Sequence, residues 1–213
     1  MNAEGDKSEI SVVIVSYNTA DLIVECLTSV EADRDVPLEI FVVDNASSDG
    51  SADAVKNGFP AVRLVENREN RGFGAANNQV LSRCPGRYLI LLNPDTVVRP
   101  GAFREMAAYM DAHASVGLAG PRITNPDGTP QDSVSFRYPG QKHTSGELAG
   151  LPGSIACVMG ACLVVRPELI RQIGGFDEDF FLYGEDQDLC LRIRKLGYEI
   201  GYVESAEVVH HGG

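Results

Sequence analysis

Three almost unbroken apolar runs constrain this chain most: ISVVIVS at 10–16, LEIFVVD at 38–44 and YLILL at 88–92. A strand solvated on one face alternates apolar and polar residues. A run without alternation fits a strand covered on both faces. Between the first two runs, Leu22, Ile23, Cys26, Leu27 and Val30 fall on one stripe of helical period. A shorter strand is expected at 62–66, a helix at 74–83, and a further helix at 101–113 opened by Pro100. This β-α-β-α-β-α-β-α order predicts an α/β fold with a mostly parallel central sheet flanked by helices.

The second half has a different texture. A short strand is expected at 116–120, and Asn125-Pro126-Asp127-Gly128 reads as a plain turn at a hairpin tip. Residues 139–153 contain Gly, Pro and Ser without period, which predicts a long loop able to act as a lid. Residues 156–166 are strand-like, 167–173 a short helix, 185–196 an amphipathic helix and 199–203 a final strand. With 213 residues and no internal repeat, one domain is expected over 1–213.

Charge narrows the function. Eighteen basic against 30 acidic side chains give a net charge of −12. That excludes a general nucleic-acid binder, which needs a basic face to displace counterions. An anionic substrate would need a local device such as a metal, an arginine or backbone NH groups. Five scattered cysteines without a CxxC pair read as buried free thiols in a reducing compartment. No apolar run reaches membrane-spanning length, and residues 1–9 are polar and acidic, unlike a signal peptide. A cytoplasmic location follows as the expectation.

In open α/β sheets, ligands bind outside the carboxyl ends of the strands. Those ends carry Ser16-Tyr17-Asn18, Asp44-Asn45, residues 67–72, and Asn93-Pro94-Asp95. Asp44 ends an apolar run, so its carboxylate needs a partner. It could accept from a base NH or ribose hydroxyl, or cap the chain at 47–51. Asn93-Pro94-Asp95 recurs at 125–127, so the tripeptide alone is not specific. Only the first copy follows a buried strand directly, where a carboxylate suits Mg²⁺ or Mn²⁺ shared with substrate phosphates. Gly72-Phe73-Gly74 lacks the third glycine of a dinucleotide fingerprint and follows the third strand rather than the first. Arg71 beside Gly72 still offers a guanidinium and a close backbone approach.

Glu185, Asp186 and Asp188 open a helix beside an aromatic-rich stretch at 176–183, as the acids and wall of a pocket would. Acids in a first turn also stabilise a helix by roughly 0.3–1 kcal/mol each. The helix N-terminus is expected to lower the pKa of such a carboxylate and keep it ionised as a general base. His210-His211 could close a metal site or belong to a frayed tail.

Six segments in order, VVIVSYN, VVDNASSDGS, NRGFGAANN, LLNPD, GACLVVRPELIRQIGGFDEDFFLYGEDQDLCLRIRKLGY and HHGG, cover nearly the whole chain. Together they resemble the inverting family 2 glycosyltransferases of GT-A fold, in particular the rhamnosyltransferase-like branch. The resemblance implies a nucleotide-binding half over about 10–120 and an acceptor and catalytic half over 121–213. It implies a nucleotide-diphosphate sugar donor, dTDP- or UDP-linked, and a glycan or lipid-linked acceptor. The rhamnose itself is suggested only by the branch. Nucleotide contacts would come from Ser16, Tyr17, Asn18, Asp44, Arg71, Gly72 and Asn93. Asp95 and His210 would meet a divalent metal, Mg²⁺ or Mn²⁺. Asp186 would be the catalytic base, with Glu185 and Asp188 orienting the acceptor or the base.

Such an enzyme would be cytoplasmic or peripheral at the inner face of the membrane. Members usually continue past the His segment, so a short C-terminal part of the acceptor site is a further expectation. The alternative is a nucleotide-sugar-binding domain that lacks complete catalytic machinery. A dehydrogenase or nucleotidyltransferase is discounted, because Ser16-Tyr17-Asn18-Thr19 after the first strand is not a Gly-rich turn.

Overall fold

In the computed structural model, which describes residues 9–138 and 143–212, successive residues of each central strand go to opposite faces. Along β1 (Ile10–Ser16), Ile10, Val12 and Ile14 join one core while Val13 and Val15 join the other. Across β2 (Leu38–Asp44), Ile40 and Val42 face the first core, and Phe41 and Val43 the second. Both faces are covered, which is why these runs carry no polar alternation.

The first core lies under α1 (Ala20–Ala32), α2 (Ser51–Gly58) and α4 (Ala102–Ala112), through Ile23, Leu27, Val55, Phe103 and Met106. The second lies under α3 (Phe73–Leu81), α6 (Pro167–Ile173) and α7 (Glu185–Lys195), through Ala76, Val80, Leu169, Leu189 and Ile193.

Eight strands form one sheet in the order β3-β2-β1-β4-β9-β6-β10-β5. The first four, with β3 (Arg63–Glu66) and β4 (Tyr88–Leu92), are parallel. The rest is mixed. β9 (Cys162–Val165) runs antiparallel to both β4 and β6 (Val116–Thr124). β10 (Glu199–His210) is parallel to β6 and antiparallel to β5 (Thr96–Val98). A small second sheet pairs β7 (Val134–Ser135) with β8 (Cys157–Val158).

Several expectations change in detail. The strand expected at 199–203 continues to His210 through a register shift between Val203 and Glu207. The His pair is therefore no loose tail: His210 is the register partner of Thr96. The strand-like stretch 156–166 is two strands broken at Met159-Gly160-Ala161. Pro100 does not open α4; Gly101 is its N-cap, with its NH held by the buried Asp33. In the expected loop 139–153, residues 139–142 lie outside the described residues, and α5 (Ser145–Leu148) is closed by a Thr144–Glu147 capping box.

All five cysteines are buried and unpaired. Burial pushes the Cys26 thiol up to about 12 and the Cys157 thiol to about 11, so these groups are inert. Among the described residues, no helix is long and apolar enough to cross a membrane.

Candidate active site

The carboxyl ends of β1, β2 and β4 and the loop after β3 converge on a cavity of about 360 Å³. Its walls include Tyr17, Thr19, Asn45, Asn70, Gly72, Asn93 and Asp95, with Phe181 and Leu182 across the opening. This is the crevice that a parallel sheet offers a ligand.

The hub of this region is Asn45, which sequence reasoning did not single out. It is almost fully buried. Its Nδ2 donates to Asn70 Oδ1 (2.7 Å), and its Oδ1 accepts from Asn67 Nδ2 and from the Arg71 backbone NH, each at 3.0 Å. One side chain thus fixes the loop between β3 and α3. The only signal in the sequence was its place after a strand.

Asp44 takes the capping part. Its Oδ2 accepts from the Ser47 NH at 3.0 Å, while Oδ1 is buried with no partner. A buried orphan acceptor is costly unless a ligand satisfies it. Ser16 is fully buried and its hydroxyl bonds Thr19 Oγ1 (2.8 Å), so it offers the cavity no free group. Asn18 Oδ1 accepts from the Ser48 NH and thereby ties the first strand-end loop to the second. The Arg71 side chain is exposed and not part of the wall; its backbone NH does the anchoring.

Gly72 is needed for its backbone. It sits at φ +82°, and a Cβ there would come within 2.7 Å of the Phe181 carbonyl. That carbonyl accepts from the Phe73 NH, which fastens the 176–183 stretch over the cavity. Asn18, Ala46 and Tyr183 have left-handed backbone at φ 54°, 68° and 67°. All three lie in loops at this edge, where strain is commonly held for function.

Asp95 and His210 meet because β5 pairs with the end of β10. The Asp95 carbonyl accepts from the His211 NH (2.9 Å), and His210 Nε2 lies 3.3 Å from Asp95 Oδ2. His211 instead turns toward Glu25, with 3.4 Å between Nε2 and Oε2. Burial pushes the Asp95 carboxyl up. The neighbouring His210 and the charge of His211 more than offset this and hold it below its ordinary value.

No group of three or more His, Cys, Asp or Glu side chains converges on one point among the described residues. The pair does fit a hard divalent cation such as Mg²⁺ or Mn²⁺. One carboxylate oxygen and one imidazole nitrogen point at the same space, and substrate oxygens and water can fill the other positions.

Asp186 lines a neighbouring cavity of about 590 Å³ together with Asp132, Phe136, Arg137, Met159 and Gln187. Its Oδ2 accepts from the Gly160 NH (3.1 Å) and its Oδ1 from the Gln187 NH (2.8 Å). A Cβ at position 160 would sit 3.1 Å from Asp186 Oδ2, so only glycine leaves the carboxylate this seat without displacement. Burial pushes the Asp186 carboxyl up, against the lowering effect of these NH bonds. The expected lowering by the helix N-terminus is thus corrected: desolvation outweighs the dipole.

The other two acids face elsewhere. Glu185 is buried, with Oε2 unpartnered, and burial raises its pKa, to which the charge of Asp186 adds. Asp188 is paired with Arg192 one turn on (2.6 Å), and Arg192 also donates to the Gly175 carbonyl. Asp188 therefore braces α7 and is absent from the lining of the Asp186 cavity, where Gln187 stands beside Asp186.

A short run of contacts links the two cavities. The Asn93 NH donates to the Ala161 carbonyl (2.9 Å), and the preceding residue, Gly160, holds Asp186. Asn93 belongs to the first cavity and Asp186 to the second, and one peptide segment separates them.

Comparison with known proteins agrees with the fold. The family model for Glycosyl transferase family 2 matches residues 11–174, and that for the N-terminal domain of galactosyltransferase matches residues 141–211. The N-acetylglucosaminyl-diphospho-decaprenol L-rhamnosyltransferase of Mycobacterium tuberculosis is 29% identical, over 94% of this chain and 75% of its own length. The low-salt glycan biosynthesis hexosyltransferase Agl10 of Haloferax volcanii is 24% identical over 95% and 67%.

Among solved structures, the mannosyltransferase PcManGT of Pyrobaculum calidifontis, in complex with GDP-Man and Mn²⁺, superposes with a TM-score of 0.73 at 25% identity. S. aureus TarS 1–349 in complex with UDP-GlcNAc gives 0.70 at 21%. Each match covers 96% of this chain, which spans 57% and 59% of those two chains.

Proposed function

This chain belongs to glycosyl transferase family 2 and has the GT-A fold, and from that premise we propose that it transfers a hexose from a nucleoside-diphosphate donor to an acceptor hydroxyl with inversion. The observation that supports the reading is the run of contacts from Asn93 through Ala161 and Gly160 to Asp186, which links the turn carrying Asp95 to the Asp186 carboxylate.

The 360 Å³ cavity suits the donor. The orphan Asp44 Oδ1 is available to a base NH or ribose hydroxyl. Tyr17 is exposed at the cavity, and Asn93, in the same lining, would meet the diphosphate. Asp95 and His210 would hold Mg²⁺ or Mn²⁺, which when bound neutralises the charge that grows on the leaving diphosphate. PcManGT was solved with a nucleotide sugar and Mn²⁺.

Asp186 takes the acceptor's proton as its oxygen attacks the anomeric carbon. A carboxylate made more basic by burial suits that task better than an ordinary one. The NH groups of Gly160 and Gln187 hold its two oxygens, so the base is oriented before the acceptor arrives. The anomeric centre passes through an oxocarbenium-like state and inverts in one displacement, with no nucleophile from the protein. Phe181 and Leu182 shield the donor from water.

The acceptor-side cavity joins an apolar surface at Phe136 and Met159 to the guanidinium of Arg137. That combination fits a phosphate-bearing lipid-linked sugar, of the kind named for the Mycobacterium relative. A dTDP-linked rhamnose donor is the corresponding first choice, with UDP-sugars next.

Thermal stabilisation by a panel of dTDP-, UDP- and GDP-sugars with Mn²⁺ tests the reading, since bound donor raises Tm by mass action. One nucleotide class stabilising the protein only with the metal is the expected result. No stabilisation by any member would overturn it.

A further inference from the structure

We infer that Gln131 is a positioning residue, which accepts a hydrogen bond from His210 Nδ1 and so turns Nε2 of the same ring toward Asp95. The inference rests on the proposed role of His210 as a metal contact. The directions of the hydrogen bonds carry it, and they are fixed from two independent ends.

At one end stands a backbone carbonyl, which can only accept. Gln131 Nε2 donates to the His210 carbonyl at 2.8 Å. At the other end stands the Asp127 carboxylate. Thr129 Oγ1 donates to Asp127 Oδ1 (2.6 Å), so that hydroxyl is free to accept from Asn125 Nδ2 (2.8 Å). The Asn125 amide is thereby oriented with Oδ1 outward, where it accepts from Gln131 Nε2 at 2.7 Å.

Both ends make the same atom of Gln131 the donor, and Oε1 is left as the acceptor. His210 Nδ1 lies 3.0 Å from that oxygen and must carry the hydrogen. A metal-binding imidazole is commonly fixed through its other nitrogen in this way. The Asn125-Pro126-Asp127-Gly128 turn, in sequence a plain turn, thus anchors the side chain that aims the imidazole.

The test uses the whole chain, with two readouts. First, ¹⁵N NMR of the histidine side chains reports whether His210 Nδ1 carries a hydrogen without any metal. Wild type is expected to show that hydrogen held on Nδ1. Gln131→Met, which removes the acceptor, is expected to lose this preference. A wild-type ring with no hydrogen on Nδ1 would overturn the inference, whatever the variant does.

Second, Mn²⁺ is titrated in the presence of UDP. Gln131→Met is expected to weaken Mn²⁺ roughly 10–100-fold, with His210→Ala weakening it at least as much. Weakening in His210→Ala but none in folded Gln131→Met would overturn the role of Gln131. No effect of His210→Ala would instead remove His210 from the metal, a separate failure that the NMR result distinguishes.

Discussion

On the β3-β2-β1-β4 side, Tyr17, Asp44, Asn45 and Asn93 all stand at the carboxyl ends of parallel strands. They reach the cavity by strand register alone. On the other side, Asp186, Gly160 and His210 arrive by interruptions: a helix start, a break between two short strands, and a strand that slips register before its last turn of sequence. The first half offers a general crevice, and the second half's irregularities carry the proposed base and the proposed metal contact His210. Binding and chemistry should therefore come apart under mutation.

The largest expected effect is at Asp186. Asp186→Asn should cut transfer by about 10²–10⁴ while nucleotide affinity, read by calorimetry, stays near wild type. Equal loss of both would erase the contrast between the halves. Next, Asp95→Ala should remove most of the Mn²⁺-dependent gain in nucleotide affinity while leaving metal-free binding unchanged. Calorimetry with and without Mn²⁺ reads the difference.

Gly72→Ala asks whether the first half tolerates change where the 176–183 stretch closes on the cavity. A Cβ at φ +82° against the Phe181 carbonyl should cost about 1–3 kcal/mol in urea denaturation.

The two carboxylates also separate by pH, because Asp95 is held below its ordinary value and Asp186 above it. A raised pKa means that the folded state binds the proton more tightly. The stability this contributes is present below the unfolded value and is lost as pH rises through the folded one. Stability of wild type relative to Asp186→Asn should therefore fall as pH rises from the ordinary carboxylate range through the raised Asp186 value. For Asp95 the sign reverses: its contribution is present above the unfolded value and lost as pH falls through the lowered one. Urea midpoints across the acid range measure both. The smallest effect is expected at Asp188→Ala, about 0.5 kcal/mol from a lost helix ion pair with transfer unchanged; a large loss of transfer would return Asp188 to the acceptor site.

The contrast between halves also governs how far the sequence could be read. Strands covered on both faces announce themselves as apolar runs, so the positions of Asp44, Asn93 and Asp95 at strand ends were legible. β5 has only three residues and no period to detect. In β10 the register shift puts Glu204 and Ser205 between Val203 and Val208, which masks the continuation to His210. The role of Asp188 was within reach, since Asp188 and Arg192 stand four apart on one helix. The raised pKa of Asp186 was not, because a dipole argument from sequence has no knowledge of burial. Asn45 was hidden for a similar reason: its four hydrogen bonds run to residues 22–27 positions away.

The Gly160-Ala161 segment has an engineering consequence. It ties the Asn93 turn to the Asp186 carboxylate, so a change that shifts it to widen one chamber also shifts the seat of that carboxylate in the other. Selectivity on the two sides should therefore change together when this segment is altered, and independent tuning has to begin at the far walls, near Leu22 or Phe136.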